Sequence, residues 1–280
     1  MAARRKITIG LGLLVPLAIF LCLVFALAQA TSGGPPTGQT RKQRSKRAAP
    51  PAKEAAPKEV AMPFPVGEIL NYRVAWATFS SAASVRLAVP ERRDLYGWQT
   101  WHFRAAISTV RPVRTLFSID DQFDSYTDGV TLESRQYEMY LNELGKSESA
   151  VLHFVPQDTA ARGPGPIVVV LAGTRDPLGA LYSLRAADWQ HLPEVRAPVY
   201  DGRNLYEMSA KVENASEKVT VDAGTFSASC IGIHLFEHGK EVSQIGFELW
   251  LAQDAARTPV LISAELPFGN VRGELTKSAP

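Results

Sequence analysis

Cysteine is nearly absent from this chain: there are two in 280 residues, Cys22 and Cys230. Cys22 lies in an apolar N-terminal run, so no intrachain disulfide can brace the rest of the chain, and a packed core has to hold it. Serine-nucleophile signatures are missing too, with neither G-x-S-x-G nor S-x-x-K present. No phosphate-cradling P-loop and no Rossmann glycine set occurs. Histidine is sparse, five in all, and His102, His153 and His191 show no ligand spacing among themselves. No cofactor and no metal is expected.

Charge of one sign is also lacking overall, at 30 Lys/Arg against 28 Asp/Glu. The near-balance hides a division. Residues 1–61 hold ten Lys/Arg and two Asp/Glu, which leaves twenty against twenty-six in the remainder. The globular part is mildly acidic, and a nucleic-acid partner is not expected.

The N-terminus reads as an export signal. After MAARRK, residues 7–30 carry no charge and end in Ala28-Gln29-Ala30. A basic start, an apolar run and a small-residue end make a secretory signal. The run is also close to the ~20 residues that cross a bilayer, so an uncleaved membrane anchor through residues 7–30 stays open beside a cleaved signal. The protein is thus expected to be exported, either free in the periplasm or anchored in the inner membrane facing it. Residues 31–61 are rich in Pro, Ala, Gly and cations, with RKQRSKR at 41–47. They read as a disordered tether.

From Met62 to the C-terminus the texture is alternation. Segments such as ILNYRVAW, SVRLAV, WHFRAAIST, RQYEMYL, KVTVDAG and GFELWLA fit strands, separated by turn signals at Asp128-Gly129, Asp201-Gly202 and Gly239-Lys240. Some dozen short strands predict a mainly β domain over 62–280: a single antiparallel curved sheet, a barrel or half-barrel. One short helix is predicted near 176–189. Asp176 is its N-cap, Pro177 its first residue, and Leu178, Leu181, Tyr182 and Arg185 follow at helical spacing.

The segment HLFEH, His234 to His238, matches the inverted zinc-protease pattern H-x-x-E-H. Two histidines four apart share a metal on a helix, where they stack on one face. On a strand they lie ~13 Å apart. Upstream AGTFSASCIGI and downstream Gly239-Lys240 predict a hairpin, which removes the zinc reading. The same strand phase sets His234 inward with Cys230 and Phe236.

DSYTDG lacks the ligand spacing of a calcium loop. A hairpin turning at Asp128-Gly129-Val130 instead pairs Ile119 with Met139 and sets Asp121 on the apolar face, opposite Tyr137 and diagonal to Arg135. A carboxylate there needs a partner, which Arg135 and Tyr137 can supply. The trio either lines a ligand cavity or fixes the sheet register as a buried pair.

Four segments in order resemble the bacterial exported domain-of-unknown-function family 3108. They are FPVGEILNYRVAW, IDDQFDSYTDGVTLESRQYEMY, RDPLGALYSLR and FELWLAQDAARTPVLISAELPFGNVRGEL, spanning about 64–275. Positions matching the family lie in the helix (Asp176, Tyr182, Arg185) and in the closing segment (Trp250, Asp254, Pro259). The loop ARGPGP at 161–166 and the basic tether depart from it. The resemblance implies an envelope protein with a barrel-like sheet around a helix, similar to periplasmic domains that hold acyl chains in a concave face. It implies no reaction and no catalytic residue. The expected role is non-catalytic binding of a hydrophobic ligand or partner, a lipid or another envelope protein, in the curved sheet. Two alternatives are an envelope glycan- or lipid-acting hydrolase using acidic residues, and a structural or assembly factor.

Overall fold

The computed structural model describes residues 61–156, 167–242, 246–267 and 269–277. The segments read from the sequence as an export signal and, up to residue 60, a tether lie outside the described residues, as does the loop at 161–166. Among the described residues, no helix is long and apolar enough to cross a membrane.

The first half of the chain forms β1 (Ile69–Trp76), β2 (Phe79–Leu95), β3 (Trp98–Thr109), the single turn α1 (Val113–Leu116), β4 (Asp120–Asp128), β5 (Ser134–Glu143), β6 (Lys146–Pro156) and β7 (Ile167–Val170). After α2 (Pro177–Ala186) follow β8 (Glu194–Tyr200), β9 (Leu205–Val221), β10 (Gly224–Glu237), β11 (Lys240–Glu241), β12 (Gly246–Ala252), β13 (Pro259–Glu265) and β14 (Val271–Leu275). All fourteen strands share one sheet, in the order β7-β6-β5-β4-β3-β2-β1-β14-β13-β12-β10-β9-β8, with β11 on β10. Neighbours pair antiparallel except β6 and β7, which run parallel. The last strand therefore lies beside the first, β14 on β1.

The sheet is curved enough for its two ends to meet. Thr174 accepts a hydrogen bond from the Ser134 amide of β5, while Arg175 exchanges two with Pro198 and Tyr200 of β8. Phe154 of β6 packs edge-on against Tyr200 at 6.0 Å. At Gly202, in the β8–β9 turn, a side chain would press to 3.0 Å from Met139 and 3.3 Å from Leu152, and its φ of +107° suits glycine.

The helix α2 fills the concavity. Asp176 caps it as the sequence predicts, accepting from the amides of Leu178 and Gly179 at 2.9 and 2.8 Å. Leu178 and Tyr182, one turn apart, enter a core with Phe64, Phe103 and Phe123. Ala180 and Leu184, on another side, enter a second core with Met208, Ile231 and Leu249. A helix buried all round in this way sits inside a fold, not on its surface. Tyr182 stacks on Phe103 at 3.8 Å.

Two expectations are corrected. The β4–β5 register places Tyr137 opposite Ser125, not opposite Asp121. The turn spans Gly129–Glu133 because the Asp128 carboxylate accepts the amides of Val130 and Thr131, both at 3.0 Å, and Leu132 tucks into the core at φ +57°. The shift is an even number of residues, so Asp121 keeps its inward face, 2% exposed, but loses Arg135 and Tyr137 as partners. The segment 234–237 is strand and 238 lies in the turn, as predicted, yet His234 faces solvent and contacts Glu241 at 2.7 Å. Register shifts between Ala228 and Ile231 move the strand phase, so Ile231 and Leu235 take the inward places.

Candidate functional site

With α2 inside, the open surface is the other face of the sheet. On β2 the residues Val85, Leu87 and Val89 point into the core, so Ser84, Arg86 and Ala88 point away from it. On β3 the same logic turns Arg104, Ala106 and Ser108 outward. Strand pairing then sets Arg73 beside Ser84, Asn71 beside Arg86, Arg86 beside Ala106, and Ala88 beside Arg104. Arg73, Arg86 and Arg104 thus run diagonally across three strands, ~7–8 Å apart at the backbone. Small side chains occupy the places between them.

Those small side chains leave two depressions. One, of about 410 Å³, is lined by Ile69, Ala88 and Pro90 with Arg104 and Gln122. The other, of about 460 Å³, is lined by Asn71, Arg73, Ser84 and Ser108. Both include Arg86 and Ala106, so they form one groove across β1–β4. Each is within the range of small-molecule sites.

The arginines differ in their partners. Arg73 pairs with Asp222 and with Glu274, the latter at 2.8 Å. Arg104 donates to Asp124 at 2.7 Å. Among the described residues no carboxylate pairs with exposed Arg86. Asp124, 1% exposed, sits behind two groove-lining side chains, accepting from Arg104 and also from Gln122, and contacts His102, the last two each at 2.6 Å. Burial opposes its ionisation, but the bonds from His102, Arg104 and Gln122 outweigh that and hold its carboxyl below the usual range. His102 stacks on Tyr126 at 4.5 Å, and Arg93 covers the same ring at 4.5 Å.

None of the nine residues singled out from the sequence lines this groove. Asp121 accepts from the Asn142 amide at 2.8 Å, and burial, with Glu143 beside it, lifts its carboxyl to about 7. Arg135 pairs with Asp128 at 3.0 Å and covers the Trp98 ring at 4.2 Å. Tyr137 is fully buried and stacks near Phe123. Asp176 also accepts the hydroxyls of Ser125 and Ser134. Tyr182 and Arg185 lie inside with it, and Arg185 donates to the carbonyl of Ala256 at 2.9 Å. Arg257 returns the bond to the carbonyls of Ala186 and Ala187. Asp254 pins Thr258, Pro259 accepts the Tyr72 hydroxyl at 2.7 Å, and Trp250 donates to Glu217. Of the family-matching positions, Arg185 thus ties α2 to the loop before β13, Asp176 ties it to β4 and β5, and Pro259 and Trp250 bind β1 and β9. The groove carried one sequence signal, small residues two places either side of an outward arginine, as in Ser84-x-Arg86-x-Ala88.

Among solved structures, the chain is similar to a beta-barrel-like protein of domain of unknown function DUF1849 from Brucella abortus, at 13% identity and a TM-score of 0.47, covering 76% of this chain and 96% of that one. It is also similar to a candidate exported protein with a YmcC-like fold from Bacteroides fragilis, at 10% identity and a TM-score of 0.34, covering 78% and 98%. A candidate lipoprotein from Parabacteroides distasonis aligns at 11% identity and a TM-score of 0.36, covering 77% and 96%. No curated protein matches the chain. The profile of the family described as "Protein of unknown function (DUF3108)" matches residues 71–276, most of the chain, and the chain belongs to that family.

Proposed function

We propose that this chain is an exported, non-catalytic binding protein of the cell envelope, and that its ligand or partner sits in the outer groove of β1–β4. Residues 1–30 direct export and residues 31–61 tether the folded part. The observation that carries the reading is the position of α2. An acyl chain in the concave face would have to displace Leu178, Tyr182 and Leu184, all buried. At ~1.5–3 kcal/mol for each large apolar side chain, that costs roughly 5–9 kcal/mol, comparable with the whole stability of a domain. The outer groove is open without any such rearrangement. The hydrolase alternative is less well served, because Glu68, which lines the groove, is held in a two-pronged pair with buried Arg185, and Asp124, bonded to the lining residues Arg104 and Gln122, is engaged by three donors and is a poor base.

The test is native mass spectrometry of molecules retained by the full chain taken from its own membranes, for wild type and Ala106→Trp. A retained species lost in the variant supports the groove. Retention that ignores Ala106→Trp, or no retained species at all, sinks it.

A further inference from the structure

We infer that the groove takes an anionic amphiphile, with an oxyanion head on Arg86 and an aliphatic tail along Ile69, Ala88 and Ala106. This rests on the outer-groove reading and names the ligand class for it. Charge places the head. Arg73 and Arg104 are each neutralised by carboxylates, whereas Arg86, between them, has none among the described residues. Its guanidinium offers a planar fork of donors suited to a carboxylate or phosphate. Asn71 stands directly across from it on β1, and Ser84 two residues along β2. The surrounding chain after residue 61 is net acidic, so an unpaired cation at the junction of two depressions is a local feature and not part of a general basic surface.

The lining on one side suits the tail. Ile69 is 42% exposed and lies next to Ala88 across the β1–β2 pair, with Pro90 and Ala106 completing an apolar strip. The strip begins beside Arg86 and ends at Arg104, whose charge is already met by Asp124. One free cation at one end of an apolar strip fits a ligand with one charged end.

The experiment uses the full chain in its own membranes with photo-crosslinking amphiphiles of equal chain length: a fatty carboxylate, an alkyl phosphate and a neutral alkyl alcohol. Labelled peptides are identified by mass spectrometry in wild type, Arg86→Gln and Ala106→Trp. Wild type is expected to be labelled within β1–β3 by at least one anionic probe, and Arg86→Gln to lower that labelling about tenfold or more while leaving the weak alcohol labelling unchanged. Labelling by the carboxylate alone or by the phosphate alone identifies the head. Equal labelling by the alcohol, unaffected by Arg86→Gln but blocked by Ala106→Trp, overturns the anionic head while leaving the groove in place. Labelling unaffected by either substitution removes both. No labelling of the groove by any probe overturns the amphiphile, and the retained-species measurement then judges the groove alone.

Discussion

Arg185 of α2 and Glu68, just before β1, stand 117 residues apart and form a two-pronged ion pair at 2.5 and 2.7 Å. The arginine is completely buried, lies over Phe64, and also bonds the carbonyls of Ala256 and Arg257. One side chain therefore joins the helix, the segment leading into the sheet and the loop before β13.

Removing the acid strands the cation. Glu68→Gln leaves a buried guanidinium without its counter-charge, and breaking such a pair from one side costs about 3–5 kcal/mol. The urea midpoint should fall accordingly. An unchanged midpoint would mean that the backbone carbonyls alone satisfy Arg185.

The cap of α2 is a second anchor. Asp176→Ala removes the acceptor for two helix amides and for the hydroxyls of Ser125 and Ser134. The cap alone is worth about 0.5–2 kcal/mol, and the stranded hydroxyls add to it. Asp176→Asn, which keeps an acceptor oxygen, should recover part of the loss in the same denaturation experiment. Equal loss in both variants would assign the effect to the charge and not to the cap.

Stability should fall as pH rises from mildly acidic to mildly alkaline. Burial lifts Asp121 to about 7 and Asp201 to about 6, each from an ordinary value of 3.8. The folded state holds these protons more tightly than the unfolded chain. Their contribution is complete below about pH 4 and is lost as pH climbs through about 6 and about 7. Asp124 and Asp128, held below the usual range, work the other way and lose their contribution only in stronger acid. Melting temperatures between pH 5 and 8 should therefore decline in wild type and flatten in Asp121→Asn. A slope untouched by both Asp121→Asn and Asp201→Asn would reject the assignment.

What was legible in the sequence was mostly local. Alternation marked the strands, and Asp176-Pro177 marked the helix start to the residue, because a cap is decided within four positions. Register was not legible. The β4–β5 turn depends on the Asp128 carboxylate gathering two amides and on Leu132 finding the core, neither of which a count of loop residues reveals. The inward place predicted for His234 failed because the shifts between Ala228 and Ile231 change the strand phase upstream of it. The groove was hidden for a different reason: Arg73, Arg86 and Arg104 come together only once three strands are laid side by side.

The seam where the sheet ends meet carries one further consequence. β9 and β10 are paired over twelve positions, whereas β8 reaches the far side through two backbone bonds to Arg175. Opening there breaks few bonds, so the amides of Arg175 and Tyr200 should exchange with deuterium well before those of β9 and β10. The molecule behaves less like a closed tube than like a cuff fastened by a single clasp.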